Sequence, residues 1–441
     1  MIIIFIRRMW QCRAFISARP AARGITLLGK RSAAPAATGQ RLHLATPSGN
    51  SPENGAFIIM PTPFRHSVIA ASRAALGVVL AAVLFTAVQA PTSVRAAELV
   101  DVLGRPVTVP DHVERVVLGE GRLFYAMAVL DRDAPFKRIA GWQNDLRKLD
   151  AKTFDGYVAQ YPEAARIPLI GETSEQSVSV ERILALKPDL AVFSISGHGP
   201  TEHSPVADVL AQAGVPVVFV DFRVHPIDGT RQSFTALGKA LGREAEATAY
   251  LDFYNRHLAR ITDAVSSLPD SARPKVMLEL LAGAWQSPGH TTGGGGMGEV
   301  IAAVGGRNIA AGVVPGAIGD ISVEYALTAD PDVYIATGSR NPGVLLGAQA
   351  TPEEAAKSFA KVLARPEFAG LRAIRDGRAH ALWHEFYNSP YNIVAIEALA
   401  TWIHPEKFAE VKPQQTLQEL YDRFLPFKRS GTYLVDEAPK S

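Results

Sequence analysis

Two stretches of this chain, 143 residues apart, carry nearly the same text: SVSVERILALKPDLAVFS at 178–195 and ISVEYALTADPDVYIAT at 321–337. Each reads Ser-Val-Glu, a short apolar-periodic run, Pro-Asp, and then a β-branched run. In both copies the glutamate precedes the proline by seven residues, Glu181 to Pro188 and Glu324 to Pro331. Such a unit is one helix followed by one buried strand. Ser179 and Ser322 are placed to cap the helix, and Glu181 and Glu324 fall in its first turn, where the helix dipole favours a carboxylate. Pro188 and Pro331 stop the helix, and the apolar run after each is a strand of a parallel sheet. Two copies spaced by a domain's length predict two related α/β lobes, each presenting an acidic helix start.

The first part of the chain follows a different pattern. Residues 1–59 are rich in Arg, Ala and Ser with a single acidic residue, Glu53. From Met60 the sequence runs through Arg65, His66 and Arg73 into the apolar stretch Ala74–Ala90 and then small residues to Ala97. A basic start, a short apolar run and a small-residue exit read as a secretory signal peptide over 60–96. The apolar run, about 17 residues, sits at the lower edge of what spans a bilayer. Segment 1–59 then reads as an extension ahead of Met60, the true initiator.

That division changes the charge. Taking the 11 basic and one acidic residues of 1–96 from whole-chain totals of 45 and 43 leaves 34 basic and 42 acidic, a formal charge of −8. A nucleic-acid partner is disfavoured, because such binding rests on basic surface. The only cysteine, Cys12, lies ahead of the exit site. An exported chain without cysteine relies on its core alone, which suits a domain of this size. With no Cys at the exit there is no lipid attachment, so a periplasmic protein without a lipid anchor is expected.

Past the opening strand, expected over Glu98–Val109, short apolar runs alternate with helical patterns, the signature of βαβ units and a parallel sheet. From Glu244 to about Leu268, apolar residues fall at Tyr254, Leu258, Ile261, Val265 and Leu268 in steps of four and three. A helix of about 25 residues is about 37 Å long, enough to bridge two lobes. The boundaries follow: an N-terminal lobe over 97–241, a connecting helix over 242–270 and a C-terminal lobe over 271–441. A polar insertion at 340–357 lies between strand and helix, where a cleft-lining loop fits.

Chemical motifs are few. GGGGMG at 293–298 matches the spacing of a dinucleotide loop. That motif must follow its strand directly, and residues 282–292 intervene, so a turn entering a helix is the better account. His198 and His203 share a loop, but a bare metal needs three or four converging ligands and no cysteine is at hand. Ser196 lies in SISGHG, which lacks the first glycine of a nucleophile elbow. No enzymatic activity is expected.

Ligands of open α/β sheets bind past the carboxyl ends of the strands. Those positions hold Arg122 and Tyr125, Trp142 with Asn144 and Asp145, Ser196 with His198, and Phe222 with Arg223 in the first half. The second half contributes Trp285, Arg340 and the run Trp383-His384-Glu385-Phe386-Tyr387-Asn388. Aromatics and arginines recurring there suit a large, planar, anionic ligand held by stacking and charge-assisted hydrogen bonds. The candidate ligand-binding residues are Arg122, Tyr125, Trp142, His198, Trp285, Arg340, His384 and Tyr387. None is expected to bind a metal directly.

Over essentially all of 98–425 the chain resembles the periplasmic binding proteins of ABC importers for iron(III)-siderophores, a family with haem- and vitamin B12-binding relatives. The resemblance is carried by DVLGRPVTVPDHVERVVL, ERILALKPDLAVF, GDISVEYALTADPDV and, for the iron-uptake branch, FYNSPYN within the C-terminal segment. It implies an α/β fold of two Rossmann-like lobes joined by a single long helix, with the ligand cleft between the lobes and little closure on binding. It also implies a ferric siderophore as cargo, with haem, cobalamin or a metal ion as alternatives, and no cofactor beyond the iron carried within the ligand. The partner implied is an inner-membrane ABC permease, docked on one surface glutamate per lobe. By motif position these are Glu181 and Glu324. A monomer in a Gram-negative periplasm completes the expectation.

Overall fold

In the computed structural model of the protein, residues 96–339 and 342–435 are described. The expected extension over 1–59 and the signal peptide over 60–96 lie, but for Ala96, outside them. The expected single opening strand is a hairpin: β1 (Ala96–Val100) pairs antiparallel with β2 (Pro106–Pro110). Asp101 turns the chain, its carboxylate accepting the Leu103 and Arg105 amides at 3.0 and 3.1 Å and gripping the Arg105 guanidinium. An aspartate bonding backbone two residues on is a turn former, and this local chemistry cuts the strand.

The first lobe is a five-stranded, all-parallel sheet of β3 (Val116–Leu118), β4 (Ile139–Gln143), β5 (Leu169–Gly171), β6 (Leu190–Ser194) and β7 (Val217–Val220). Their order is β5-β4-β3-β6-β7. Strand order reverses at β3, whose neighbours are β4 and β6. The crevice past the carboxyl ends of β3 and β6 is therefore the topological switch point where such sheets bind ligands.

The second lobe is built on three parallel strands, β8 (Lys275–Glu279), β12 (Val333–Gly338) and β13 (Ala379–Trp383). Around them lie β9 (His290–Thr292) and β11 (Ile318–Asp320), both antiparallel to their neighbours, the short β10 (Arg307–Asn308) beside β8, and β14 (Leu434–Val435) antiparallel to β13.

The repeat is structural in detail. Ser179 and Ser322 cap the helices Val180–Ala185 and Val323–Ala329, accepting the Arg182 and Tyr325 amides at 3.2 and 3.1 Å. Each helix runs out into a left-handed non-glycine residue just before the proline, Lys187 with φ 47° and Asp330 with φ 46°. The aspartate after each proline then ties the start of the neighbouring strand. Asp189 accepts the Arg115 amide at 2.9 Å, and Asp332 accepts the Lys275 amide at 2.7 Å. Even the caps on the last carbonyls correspond: Arg115 donates to the Leu186 carbonyl and Lys275 to that of Ala329.

Between the lobes run the helices Pro226–Leu241 and Glu244–Val265, separated by Gly242 in the left-handed conformation with φ 62°. The second, 22 residues and about 33 Å long, buries Ala247, Tyr250, Phe253, Tyr254, Leu258, Ile261 and Val265. It is latched to the C-terminal-lobe helix Asn392–Ile403: the Tyr254 hydroxyl donates to Asn392 Oδ1 at 2.9 Å, and His257 Nδ1 lies 2.7 Å from Glu397 Oε1. One continuous hydrophobic core runs from the first lobe through this helix into the second. A smaller cluster around Val117, Phe193 and Phe219 fills the outer face of the first sheet. A shared core of this kind resists relative motion of the lobes, because packed interiors transmit strain.

Candidate functional site

The switch-point crevice of the first lobe gathers charge. Arg122 follows β3 in a single 3-10 turn, Gly121–Leu123, and is fully sequestered between the lobes. Its Nε donates to Asp145 Oδ2 at 2.8 Å, and its Nη1 donates across the cleft to Glu385 Oε2 at 3.0 Å. Arg223, just past β7, donates from Nη2 to Glu120 Oε2 at 3.0 Å and from Nη1 to the Ser196 carbonyl. Its guanidinium carbon lies 5.4 Å from the centre of the Tyr387 ring, within reach of a cation–π contact.

Burial and these partners set the ionisation. Burial alone would raise Glu120, but Arg223 and then Arg122 outweigh it and hold the carboxylate at about 2. Asp145 goes the other way: desolvation, aided by the charge of Glu120, outweighs Arg122 and lifts it to about 6. His198 stands on the loop past β6 with its surface open to solvent. Desolvation on its inner side, then the charge of Arg122, pushes its imidazole down from the usual value.

The second lobe faces this with a different surface. A cavity of about 230 Å³ is lined by Ser196 and Arg223 from the first lobe and by Leu280, Thr292, Gly296, Met297, Ala317, Ile318 and Tyr387 from the second. The glycine loop at 293–298 supplies two of these residues. Its Gly296 amide donates to the Val224 carbonyl at 2.9 Å, so it makes contact between the lobes and then enters the helix Met297–Ala303. His384 follows β13, its Nδ1 2.8 Å from Thr337 Oγ1 and its ring 4.5 Å from that of Tyr387.

Of the expected ligand residues, the structure brings Arg122, His198, His384 and Tyr387 to the junction of the lobes. Of the other four, three lie elsewhere and one lies outside the described residues. Trp142 is wholly buried in an aromatic cluster with Phe124, Phe136 and Phe154. Its strand is interior to the sheet, and the ring turns into the core. Tyr125 is equally buried, its hydroxyl donating to Asp150 at 2.7 Å and its ring against Trp383 and Tyr391. It cements the lobes from within, because the turn after β3 becomes a helix that faces the core. Trp285 is 46% exposed on the loop before β9, beside His290, and is absent from the cavity wall. Arg340 lies outside the described residues. Strand-end position marks which residues can reach a cleft, while helical phase decides which face it.

Glu120, Asp145, Arg223 and Glu385 complete the site, and only Glu120 stood outside the strand-end positions. Gly119 and Glu120 directly follow β3, so the signal was present. Among the described residues no group of three or more His, Cys, Asp or Glu could hold a metal ion. On the outer edge, Glu181 and Glu324 are fully exposed. Each has its carboxyl pKa lowered by its own backbone amide and then by the capping serine. Both helices start at the carboxyl edge of their sheets, and exposed Leu184, Tyr325 and Leu327 stand beside the two glutamates.

Residues 136–382, more than half of the chain, match the sequence profile of the periplasmic binding protein family. The TroA-like periplasmic binding protein FepB from Veillonella parvula is similar in structure, with a TM-score of 0.69 at 27% identity over 77% of this chain and 99% of that one. The molybdate-binding protein MolA of Haemophilus influenzae is 24% identical over 74% of this chain and 90% of its own length. The vitamin B12-binding protein of Yersinia pestis is 30% identical over 42% of this chain and 60% of its length.

Proposed function

The chain belongs to the periplasmic binding protein family, and on that premise we propose that this solute-binding protein of the ABC importer class captures a ferric siderophore in the cleft and delivers it to an inner-membrane permease. The observation that carries this reading is the pairing of buried Arg223 with the Tyr387 ring at a cavity otherwise walled by Leu280, Met297, Ala317 and Ile318. A ligand with an anionic group and a planar or apolar body satisfies both sides, by charge-assisted hydrogen bonding and by stacking. Binding alone is required of these residues, and the family members are solute-binding proteins.

Docking is assigned to Glu181 and Glu324, one per lobe, on helix starts built alike and away from the cavity. The protein titrated with ferric hydroxamate, catecholate and carboxylate siderophores is expected to bind one class at micromolar affinity or better, read by tryptophan fluorescence and native mass spectrometry. Absence of binding by all three would overturn the cargo. A smaller oxyanion is the second reading, supported by the cavity of about 230 Å³ and the likeness to MolA. Tight molybdate binding without siderophore binding would select it.

A further inference from the structure

The Ser-Ile-Ser-Gly-His-Gly segment at 194–199 lacks the first glycine of a nucleophile elbow, and it gives the cavity wall Ser196. In the structure it folds around a carboxylate. Glu120 Oε1 accepts the His198 amide, the Gly199 amide at 3.3 Å and Arg223 Nη1 at 3.3 Å. Glu120 Oε2 accepts Arg223 Nη2 at 3.0 Å and lies 3.6 Å from Arg122 Nη2. The glycines follow from this closeness. A Cβ at 197 would overlap both the Glu120 carboxylate and the Arg223 guanidinium, and one at 199 would strike the Gly119 carbonyl.

Two backbone amides and two guanidiniums aimed at one point make a complete anion cradle, and the anion in it belongs to the protein. The cradle adjoins the cavity, since Arg223 and Ser196 belong to both. Among the described residues, Arg223 Nε and Arg122 Nη2 are buried donors without a hydrogen-bond partner, so the guanidiniums hold unused capacity.

We infer that Glu120 is an internal counter-anion, filling the anion position of the cleft, so that the anionic group of an arriving ligand must replace it on Arg223 and the 198–199 amides. This deepens the cargo reading and rests on it. A tethered carboxylate competes at an effective concentration on the order of millimolar or more. Free oxyanions, which bring only charge, are held off by it. A ligand that adds apolar contact with Leu280, Met297 and Tyr387 has the further free energy to win the exchange. Glu120 thereby sets specificity: it selects anions with an apolar or aromatic body over bare oxyanions.

The test is calorimetric titration of the mature protein with sodium molybdate, wild type against Glu120→Gln, which keeps the shape and removes the competing charge. E120Q is expected to bind molybdate at least about tenfold more tightly than wild type, a difference of about 1.4 kcal/mol, and Arg223→Met on top of E120Q to abolish the gain. Equal or weaker binding by E120Q, including no binding by either protein, overturns the inference and makes Glu120 a scaffold for the arginines. Should E120Q fail to fold by circular dichroism, Glu120→Asp withdraws the carboxylate by one methylene. It is expected to gain at least about threefold, and no gain overturns the inference equally. The ratio between variant and wild type reads the exchange whatever the cargo, while siderophore titration of wild type reads the cargo, so the two can fail separately.

Discussion

The two lobes are alike at their outer edge and unlike at their inner one. Outside, both present the same device: a serine-capped helix start, an exposed glutamate, a left-handed stop before proline and an aspartate tying the next strand. Inside, the first lobe supplies nearly all the charge, Glu120, Arg122, Asp145 and Arg223, while the second supplies Leu280, Met297, Ile318 and Tyr387. Among the described residues, Glu385 is the second lobe's acidic side chain in that network, reaching Arg122 at 3.0 Å. The likeness thus lies at the exposed glutamates and the difference at the cleft.

The outer likeness is broken most severely by charge reversal. Glu181→Lys with Glu324→Lys is expected to reduce uptake in whole cells to background, with each single reversal giving a partial loss of similar size. Affinity for cargo in solution should stay within about twofold, because neither carboxylate joins the cleft network. A large loss of affinity would move the repeat into the ligand site. A loss confined to one glutamate would end the symmetry of docking.

The inner difference is tested by a pair of buried arginines. Arg122 serves the first lobe's network, and Arg365 in the second grips Glu279 through two hydrogen bonds of 2.9 and 2.6 Å. Removing either leaves carboxylates uncompensated inside the protein, which costs about 3–5 kcal/mol. Arg122→Ala and Arg365→Ala should therefore lower urea stability comparably. Only Arg122→Ala should also weaken cargo binding, by about tenfold or more. Equal weakening by Arg365→Ala would show that the second lobe reads charge as well.

Much of this architecture was legible in the chain. The Ser-Val-Glu and Pro-Asp spacing placed both helices and both strands, because capping serine, helix-stopping proline and β-branched run each act locally. The bridging helix was legible from its four-three spacing, with its end at Val265 three residues short of the last apolar position. The opening hairpin was not, since Asp101 breaks the strand by a side-chain bond to its own backbone. At the site, sequence position brought Arg122, His198, His384 and Tyr387 to the cleft but could not phase Tyr125 or Trp142, whose rings turn inward for reasons of packing. Glu120 stands just past β3, a position that signals the cleft, but its role lies in contacts with residues 78 to 103 positions away.

The smallest expected effect sharpens the charge side of the comparison. Asp145, lifted to about 6 by desolvation, takes up a proton as pH falls from 7.5 to 5.5, and one negative charge beside Arg122 disappears. Glu120, near 2, stays ionised over that range, and the lowered imidazole of His198 takes up less charge there than a free one. The cleft therefore becomes more positive on acidification, and an anionic cargo should bind about threefold to tenfold more tightly at pH 5.5 than at 7.5. Asp150, also lifted to about 6 by burial and the charge of Glu385, titrates in the same window but bonds Tyr125 in the core rather than Arg122. Asp145→Asn should flatten the profile, and Asp150→Asn should leave it. The slope of affinity against pH, compared between these two variants on the same cargo, cancels any titration of the ligand itself. An unchanged slope in Asp145→Asn would remove Asp145 from the charge balance that the first lobe offers.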